Sequence, residues 1–490
     1  MSRQDCSTCV RRRIRCDRSL PKCHKCSKKS LLCPGYGPRL RWANGIAVRG
    51  HLKGCKTPNI DKPRRSSSAT TSSSKTPTSL TRTKSNDSNT TLAQPVLTLD
   101  CLENLVPDLP DEDTIYRLLE HYDKNIAGLM VWIDSEQNEY RRLVLPLAQR
   151  QPVLLLAILA VSSQHLAVTQ NEESNFSGHA RDAAVSMISG QIRQVTGRLA
   201  AGHDLGSEID AETAEWMLAS MLTLASYEMA ESEAGGNAAD SHRAAARTLV
   251  NALATTNRQN NRLFQFLRNQ LSIYDILACT TSFDPTSTHD IILPEVNPAT
   301  IIFSDFLYLL HDVTATSRQD SGAQSSGGRM SSPKAARSLF GLARGSTLML
   351  AGSLGLPNNE RRRDFIRLVD IYHHAGLLYT YRLLFKNVVT SIEVEASTRA
   401  LLERFDQLED IHSCMQNLPW PALIAGIESY GNADRMAFTE RLYEKIARDM
   451  GFKHYLEVLH FLQVLWSRED ADWVMLANQY RLQGRGIVAV

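Results

Sequence analysis

Long apolar runs are scarce in this 490-residue sequence. The longest, Pro152–Val161, is about half of the ~20 residues that a membrane-spanning helix needs, and Arg150 stands just before it. It is read as a buried core helix, and no membrane partner is expected. The opening Met1–Cys9 is polar and has no apolar h-region, so a secretory signal is not expected there and the chain should stay inside the cell. The sequons at Asn86, Asn89 and Asn175 are discounted on the same ground. Catalytic signatures are missing too. There is no P-loop, no GxGxxG turn after a strand and no HExxH helix, and Ala351-Gly352-Ser353-Leu354-Gly355 lacks the first glycine of a serine-hydrolase elbow. An enzyme is therefore not expected. Period-two alternation is scarce, which leaves no basis for strands. No sustained heptad is visible, so a coiled-coil dimer is not specified, and monomer or homodimer stays open.

The charge is unevenly placed. The net value of +3 conceals 21 Lys and Arg against 4 acids in residues 1–98, which leaves the rest of the chain at −14. A head of +17 on an acidic body points to a polyanion partner, of which nucleic acid is the first choice.

Cysteine is equally uneven, since six of ten fall within residues 6–33 while Cys55, Cys101, Cys279 and Cys414 are scattered. Crowded thiols inside a cell are kept reduced, which favours metal ligands over disulfides. Cys6-x2-Cys9-x6-Cys16 is followed, six residues on, by Cys23-x2-Cys26-x6-Cys33, an internal repeat. A C-x2-C step lets two thiolates reach one zinc at about 2.3 Å, and the six-residue gap suits a short helix that returns the third. Two tetrahedral ions need eight ligand positions, and six cysteines fill them only if two thiolates bridge. Six thiolates against two divalent ions leave a charge of −2, which Arg11, Arg12, Arg13, Arg15, Lys22, Lys25, Lys28 and Lys29 can offset while remaining available to phosphates.

The expected organisation is a zinc head over residues 1–35, a basic and Ser/Thr-rich linker over 36–98, and an all-α body over 99–490. From Lys56 to Thr98 the segment is too poor in large apolar groups to offset ordering entropy, so it is read as a flexible tether. In the body, Ile115, Leu118, Leu119, Tyr122, Ile126, Leu129, Met130 and Ile133 recur at helical spacing. So do Phe365, Leu368, Val369, Tyr372, Leu377 and Tyr381, and later Leu442, Ile446, Leu456, Leu459, Leu462 and Leu465. Residues 314–333 are polar and low in complexity, and a disordered surface loop is expected there. His373 and His374 are adjacent on one helix and cannot easily share a metal, so they are read as structural. Trp420, Trp466 and Trp473 are read as core, with a small-molecule pocket as the lesser reading.

The cysteine segment, with its Pro21-Lys22-Cys23 ending of the central loop, resembles the Zn2Cys6 binuclear-cluster domain of fungal transcription factors. Gly35–Gly50 is similar to the stretch that follows the cluster in one subgroup. In the body, RLLEHYDKNIAGLM, LVLPLAQRQPVLLLAILAVSSQHL, YHHAGLLYTYRLL and LPWPALIAGIES resemble that subgroup's fungal-specific regulatory domain. The resemblance implies that Cys6 and Cys23 bridge two zinc ions, that Cys9 and Cys16 complete one, and that Cys26 and Cys33 complete the other. It implies a short helix over Val10–Arg15 entering the major groove at a CGG-type triplet. Arg12 and Arg13 would approach the bases, Arg11 and Arg15 would serve phosphates or pack near the cluster, and Lys28 and Lys29 would hold phosphates. Val10 stands where many members carry a basic residue. The implied function is a nuclear, zinc-dependent, sequence-specific regulator of RNA polymerase II transcription that binds double-stranded DNA and meets the transcription machinery. The alternative is a zinc-headed helical protein that senses partners or small molecules without reading bases, and the cations at Arg11–Arg15 argue against it. A RING-like module is disfavoured because it needs eight ligands and a longer middle spacer.

Overall fold

The computed structural model describes residues 8–9, 12, 14–17, 19, 23–29 and 31 of the head. Beyond it the model describes 100–171, 175–201, 209–231, 236–254, 261–283, 291–294, 302–318, 330–352, 354–356 and 358–490. The linker expected over 36–98 lies outside these residues. Clustering of contacts separates residues 1–91 from 92–490. The first unit contains α1 (His24–Ser27) and is taken up below. The second is built from helices and turns, with no strand among the described residues, as the period-3.6 pattern requires.

In chain order its helices are α2 (Asp100–Glu103), α3 (Glu112–His121), α4 (Leu145–Ala148), α5 (Pro152–Gln170), α6 (Phe176–Ala200), α7 (Ala211–Glu231), α8 (Gly236–Leu253) and α9 (Arg262–Cys279). They continue as α10 (Ser304–Arg318), α11 (Pro333–Leu350), α12 (Asn359–Leu384), α13 (Ser391–Asp406), α14 (Pro419–Ile427), α15 (Ala433–Met450), α16 (His454–Ser467) and α17 (Trp473–Leu482). The ends follow local chemistry. Asp111, Asn261, Ser332, Asn358, Thr390, Asn432 and Asp472 each accept a backbone N–H at a helix start, and Thr390 with Glu393 forms a full capping box. Gly451, at φ 66°, closes α15 in the left-handed region that favours glycine.

Helix α5 carries apolar residues on every side, and 13 of its 19 residues are buried. It is long and apolar enough to cross a membrane, yet 72% of its most apolar window is enclosed by the body, which identifies it as a core helix. Around it α3, α6 and α7 form one apolar core that includes Leu154, Leu156, Ile158, Leu218 and Leu222. A second core gathers Phe303, Phe306, Phe340, Tyr372, Tyr379 and Trp420 from α10 to α14, with α15 to α17 closing it. Helices α7 and α9 enter both cores, Leu224 in the first and Met229 in the second, Leu267 in the first and Ile276 in the second. The cores therefore belong to one body.

A polar chain runs through the second core. Trp420 Nε1 donates to Thr280 Oγ1 at 2.8 Å, Tyr379 Oη donates to the Thr280 carbonyl at 3.3 Å, and Thr314 Oγ1 meets Tyr379 Oη at 2.8 Å. Thr314 is fully buried in α10, so the loop expected over 314–333 is corrected at its start. Thr314 packs into the second core, where its hydroxyl meets both the Leu310 carbonyl and Tyr379, a buried polar site that composition alone does not reveal. Met330 is buried as well, while 319–329 lie outside the described residues. The chain's last stretch is held inside: Ile487, Val488 and Ala489 are buried, Thr281 donates to the Ile487 carbonyl, and Tyr455 Oη donates to the Val490 oxygen at 2.6 Å.

Two outcomes follow from this packing. At Gly376, on α12, an added Cβ would stand 2.3 Å from Cε1 of the buried Phe340 ring. Gly376→Ala should therefore destabilise the body by about 1–3 kcal/mol through overpacking, less about 0.5–1 kcal/mol of helix propensity, as urea melts will show. Burial pulls the pKa of His165 and of His374 to about 4 and that of His454 to about 3, so all three are neutral in the fold. The unfolded chain takes up those protons first. Stability should thus be fully present above the ordinary histidine value of 6.5 and decline as pH falls from there toward 4. Thermal melts of the body between pH 8 and 4.5 test this, and a flat profile would contradict it.

Candidate metal centre

The head has too few large side chains for an apolar core, and its interior is sulfur. Cys9, Cys23 and Cys26 are fully buried and Cys16 is 5% exposed; all four are reduced thiols. Cys9 Sγ lies 3.6 Å from Cys23 Sγ and 3.9 Å from Cys26 Sγ. Two sulfurs bound to one tetrahedral zinc at about 2.3 Å each stand about 3.8 Å apart, so these spacings suit the ion that the donor set implies. Cys23 also belongs to a second group with Cys16 and Asp17, whose ligand atoms all lie within 4.8 Å of one another. Among the described residues, Cys23 is thus the sulfur common to both groups. Cys6 and Cys33 lie outside the described residues.

Local structure places these thiols. Cys23 caps α1, and its Sγ accepts the Cys26 N–H at 3.3 Å, a bond that favours the thiolate. The Cys26 carbonyl then accepts from Lys29 and Leu31, turning the chain after α1. In the first half, Thr8 and Cys9 are helical, and Arg12 N bonds the Thr8 carbonyl at 3.1 Å. Ile14–Asp17 are irregular, so the helix expected over Val10–Arg15 does not include Ile14 or Arg15, while Val10, Arg11 and Arg13 lie outside the described residues. The Cys9 carbonyl accepts from Ile14, five residues on, and this wider turn ends the helical run.

Asp17 joins the two halves. Its carboxylate accepts the backbone N–H of His24 at 2.9 Å and of Lys25 at 3.2 Å, together with the Ser19 hydroxyl. Those bonds, that of Ser19 foremost, hold its pKa well below the usual carboxylate range. Both oxygens are thereby engaged at the start of α1, so Asp17 acts as a clamp. Lys25 Nζ adds a bond to the Arg15 carbonyl at 2.7 Å. Sequence reasoning missed Asp17. The available signal was an Asp followed two residues later by Ser, a turn pattern that does not tell which distant N–H groups it will meet. Arg12, Arg15, Lys28 and Lys29 are exposed around this sulfur core, while Arg11 and Arg13 lie outside the described residues.

The body's candidates separate. His373 Nδ1 meets the Phe340 carbonyl at 3.1 Å, its ring centroid is 5.1 Å from that of His374, and no third ligand joins them among the described residues. Trp420 lines a cavity of about 90 Å³ together with Trp132 and Tyr372. Trp466 instead donates to the Gly426 carbonyl, and Trp473 packs edge-on against Phe283, so the three tryptophans share no pocket. Cys414 is buried, and burial pushes its thiol up to about 12, while Cys279 Sγ accepts from Arg318 at 3.1 Å. Ser353 lies outside the described residues.

Residues 4–43 match the fungal Zn(2)-Cys(6) binuclear cluster domain, and residues 117–483 match the fungal specific transcription factor domain. The longer match spans more than half of the chain, so the protein belongs to the fungal specific transcription factor domain family. It is a fungal transcription regulator and not an enzyme, and its head is a cluster domain that binds two zinc ions. Among characterised proteins it is similar to the acriflavine sensitivity control protein acr-2 of Neurospora crassa. The two are 22% identical over 560 residues, which cover 95% of this chain and 92% of that protein. No solved structure matches the chain.

The clamp gives a test of this geometry. Asp17→Ala should leave two zinc ions bound but ease their transfer to a competing chelator by about tenfold, as for other groups that support metal ligands from outside. Chelator competition followed by absorbance measures it, and an unchanged transfer would show that Asp17 does not organise the cluster.

Proposed function

We propose that the head reads double-stranded DNA, docking on CGG-type triplets in the major groove, and that the chain acts in the nucleus on RNA polymerase II transcription. The observation that carries this reading is a buried sulfur cluster, with Cys23 in both ligand groups, ringed by the exposed cations Arg12, Arg15, Lys28 and Lys29. The shared position of Cys23 supports it as one bridging ligand, with Cys6 as the other. The resemblance assigns Cys9 and Cys16 to one zinc and Cys26 and Cys33 to the second, whereas the sulfur positions group Cys9 with Cys23 and Cys26, and Cys16 with Cys23. Arg12 and Arg13 meet guanine O6 and N7, whereas Arg11, Arg15, Lys28 and Lys29 hold phosphates. Residues 1–35 are the DNA-binding head, 36–98 the tether and 99–490 the regulatory body. At −14 beyond residue 98, the body is repelled by DNA and is suited to meeting the transcription machinery.

The two kinds of contact fail differently. Arg13→Ala should cost about 1–3 kcal/mol and flatten the preference for CGG over altered triplets. Lys28→Ala should weaken all duplexes alike and lower the salt slope by roughly one unit. Gel shifts with matched and mismatched duplexes at several salt concentrations distinguish them. If Arg13→Ala weakens every duplex equally and keeps the preference, the bases are read elsewhere. If the zinc-loaded head shows no preference at all, base reading itself is excluded.

A further inference from the structure

A cavity of about 450 Å³ opens between α8, α9 and the segment that follows α17. Its size falls within the range of small-molecule sites, roughly 300–1,000 Å³. Arg243 of α8 forms part of its wall and also of the wall of the smaller apolar cavity beside Trp132 and Trp420. Arg243 is 2% exposed and lies over the Tyr274 ring, 5.1 Å from its centroid. Its Nη2 reaches the exposed carboxylate of Asp240, but Nε and Nη1 have no hydrogen-bond partner. On the neighbouring helix Asp275 is 4% exposed; one oxygen accepts from Arg247 at 2.8 Å, and Oδ2 has no partner.

A buried guanidinium with two unanswered donors and a buried carboxylate with an unanswered oxygen both carry an unmet desolvation cost. They are also complementary to one kind of molecule. We propose that this cavity binds a small organic acid carrying a hydroxyl next to its carboxylate: the carboxylate accepts from Arg243, and the hydroxyl donates to Asp275 Oδ2. Arg481 and Arg485, which also line the cavity, add positive potential, and Ile291, Ile487 and Val488 give the remainder of the molecule an apolar wall. Burial pushes the Asp275 carboxyl up to about 6 while Arg247 pulls it down, so at pH 7.5 it is still mainly an acceptor. This site is independent of how the head reads DNA.

Calorimetric titration of the zinc-loaded full chain with mandelate, phenylacetate and mandelamide at pH 7.5 and constant ionic strength tests the site. Mandelate carries both groups, phenylacetate lacks the hydroxyl and mandelamide lacks the charge. Mandelate should bind, phenylacetate about fivefold more weakly, and mandelamide not measurably. Arg243→Met should weaken mandelate about tenfold or more, since a hydrogen-bonded charge is lost. Asp275→Asn should remove the advantage of mandelate over phenylacetate without weakening phenylacetate, which decides the matter even if Arg243→Met does not fold. No binding of mandelate to the wild-type chain, or equal affinity in wild type and variants, overturns the proposal and leaves these polar atoms to water.

Discussion

A helix that is apolar on every face has no stable place in water unless other helices surround it, and that requirement on α5 organises the body. Leu154 to Val161 bury almost continuously, so α3, α6 and α7 must each supply a matching face. The arrangement propagates because α7 is also too apolar to leave one side wet; its buried run from Ala214 to Ala230 hands the packing on to the second core. There the large aromatics, Phe303, Phe340, Tyr372 and Trp420, fill the space that aliphatic side chains fill around α5. Their polar groups require partners: the Trp420 indole donates to Thr280, the Tyr372 hydroxyl donates to the Asn417 carbonyl, and the neighbouring Tyr379 hydroxyl meets Thr314.

The head meets the same need for an interior by a different chemistry. A segment of its size cannot bury enough hydrocarbon to offset ordering entropy, and thiolates gathered around divalent ions replace the missing core. The thiolates must be held close despite their mutual repulsion, a need met by the Cys26 N–H that donates to Cys23 Sγ and by Asp17, which fixes the start of α1. The cations that balance the cluster can remain at the surface, so the means of folding and the means of contacting a polyanion coexist in one short segment.

Much of this was legible in residue order. The cysteine spacing pointed to a two-zinc head without reference to structure, because C-x2-C and its repetition are local facts. The repeat at 3.6 residues likewise gave the helices of the body, and Pro152–Val161 was short enough to be read as core. What escaped was non-local. Asp17 was not singled out, because only its contact with the start of α1 gives its carboxylate a role. Thr314 looked like the first residue of a polar loop, because only the distant Tyr379 makes its hydroxyl a core group. Trp420 and Trp473 are core as expected and both pack against Tyr379, whereas the lesser reading, a pocket lined by these two and Trp466, has no counterpart among the cavities described. Arg243, buried with two unanswered donors, left no trace in the sequence beyond an arginine in an alanine-rich helix.

The burial of Ile487 to Ala489 bears on how the protein is made. A chain emerging from the ribosome in order can pack α5 against α6 and α7 early, because all of their residues are available within a short stretch of synthesis. The second core has no such freedom. Thr281 and Tyr455 wait for hydrogen-bond partners that lie 206 and 35 residues further along, so this half of the body stays an incomplete assembly until residues 487–490 have been made. Co-translational folding of this regulator is thus staged by the order in which its two cores can close.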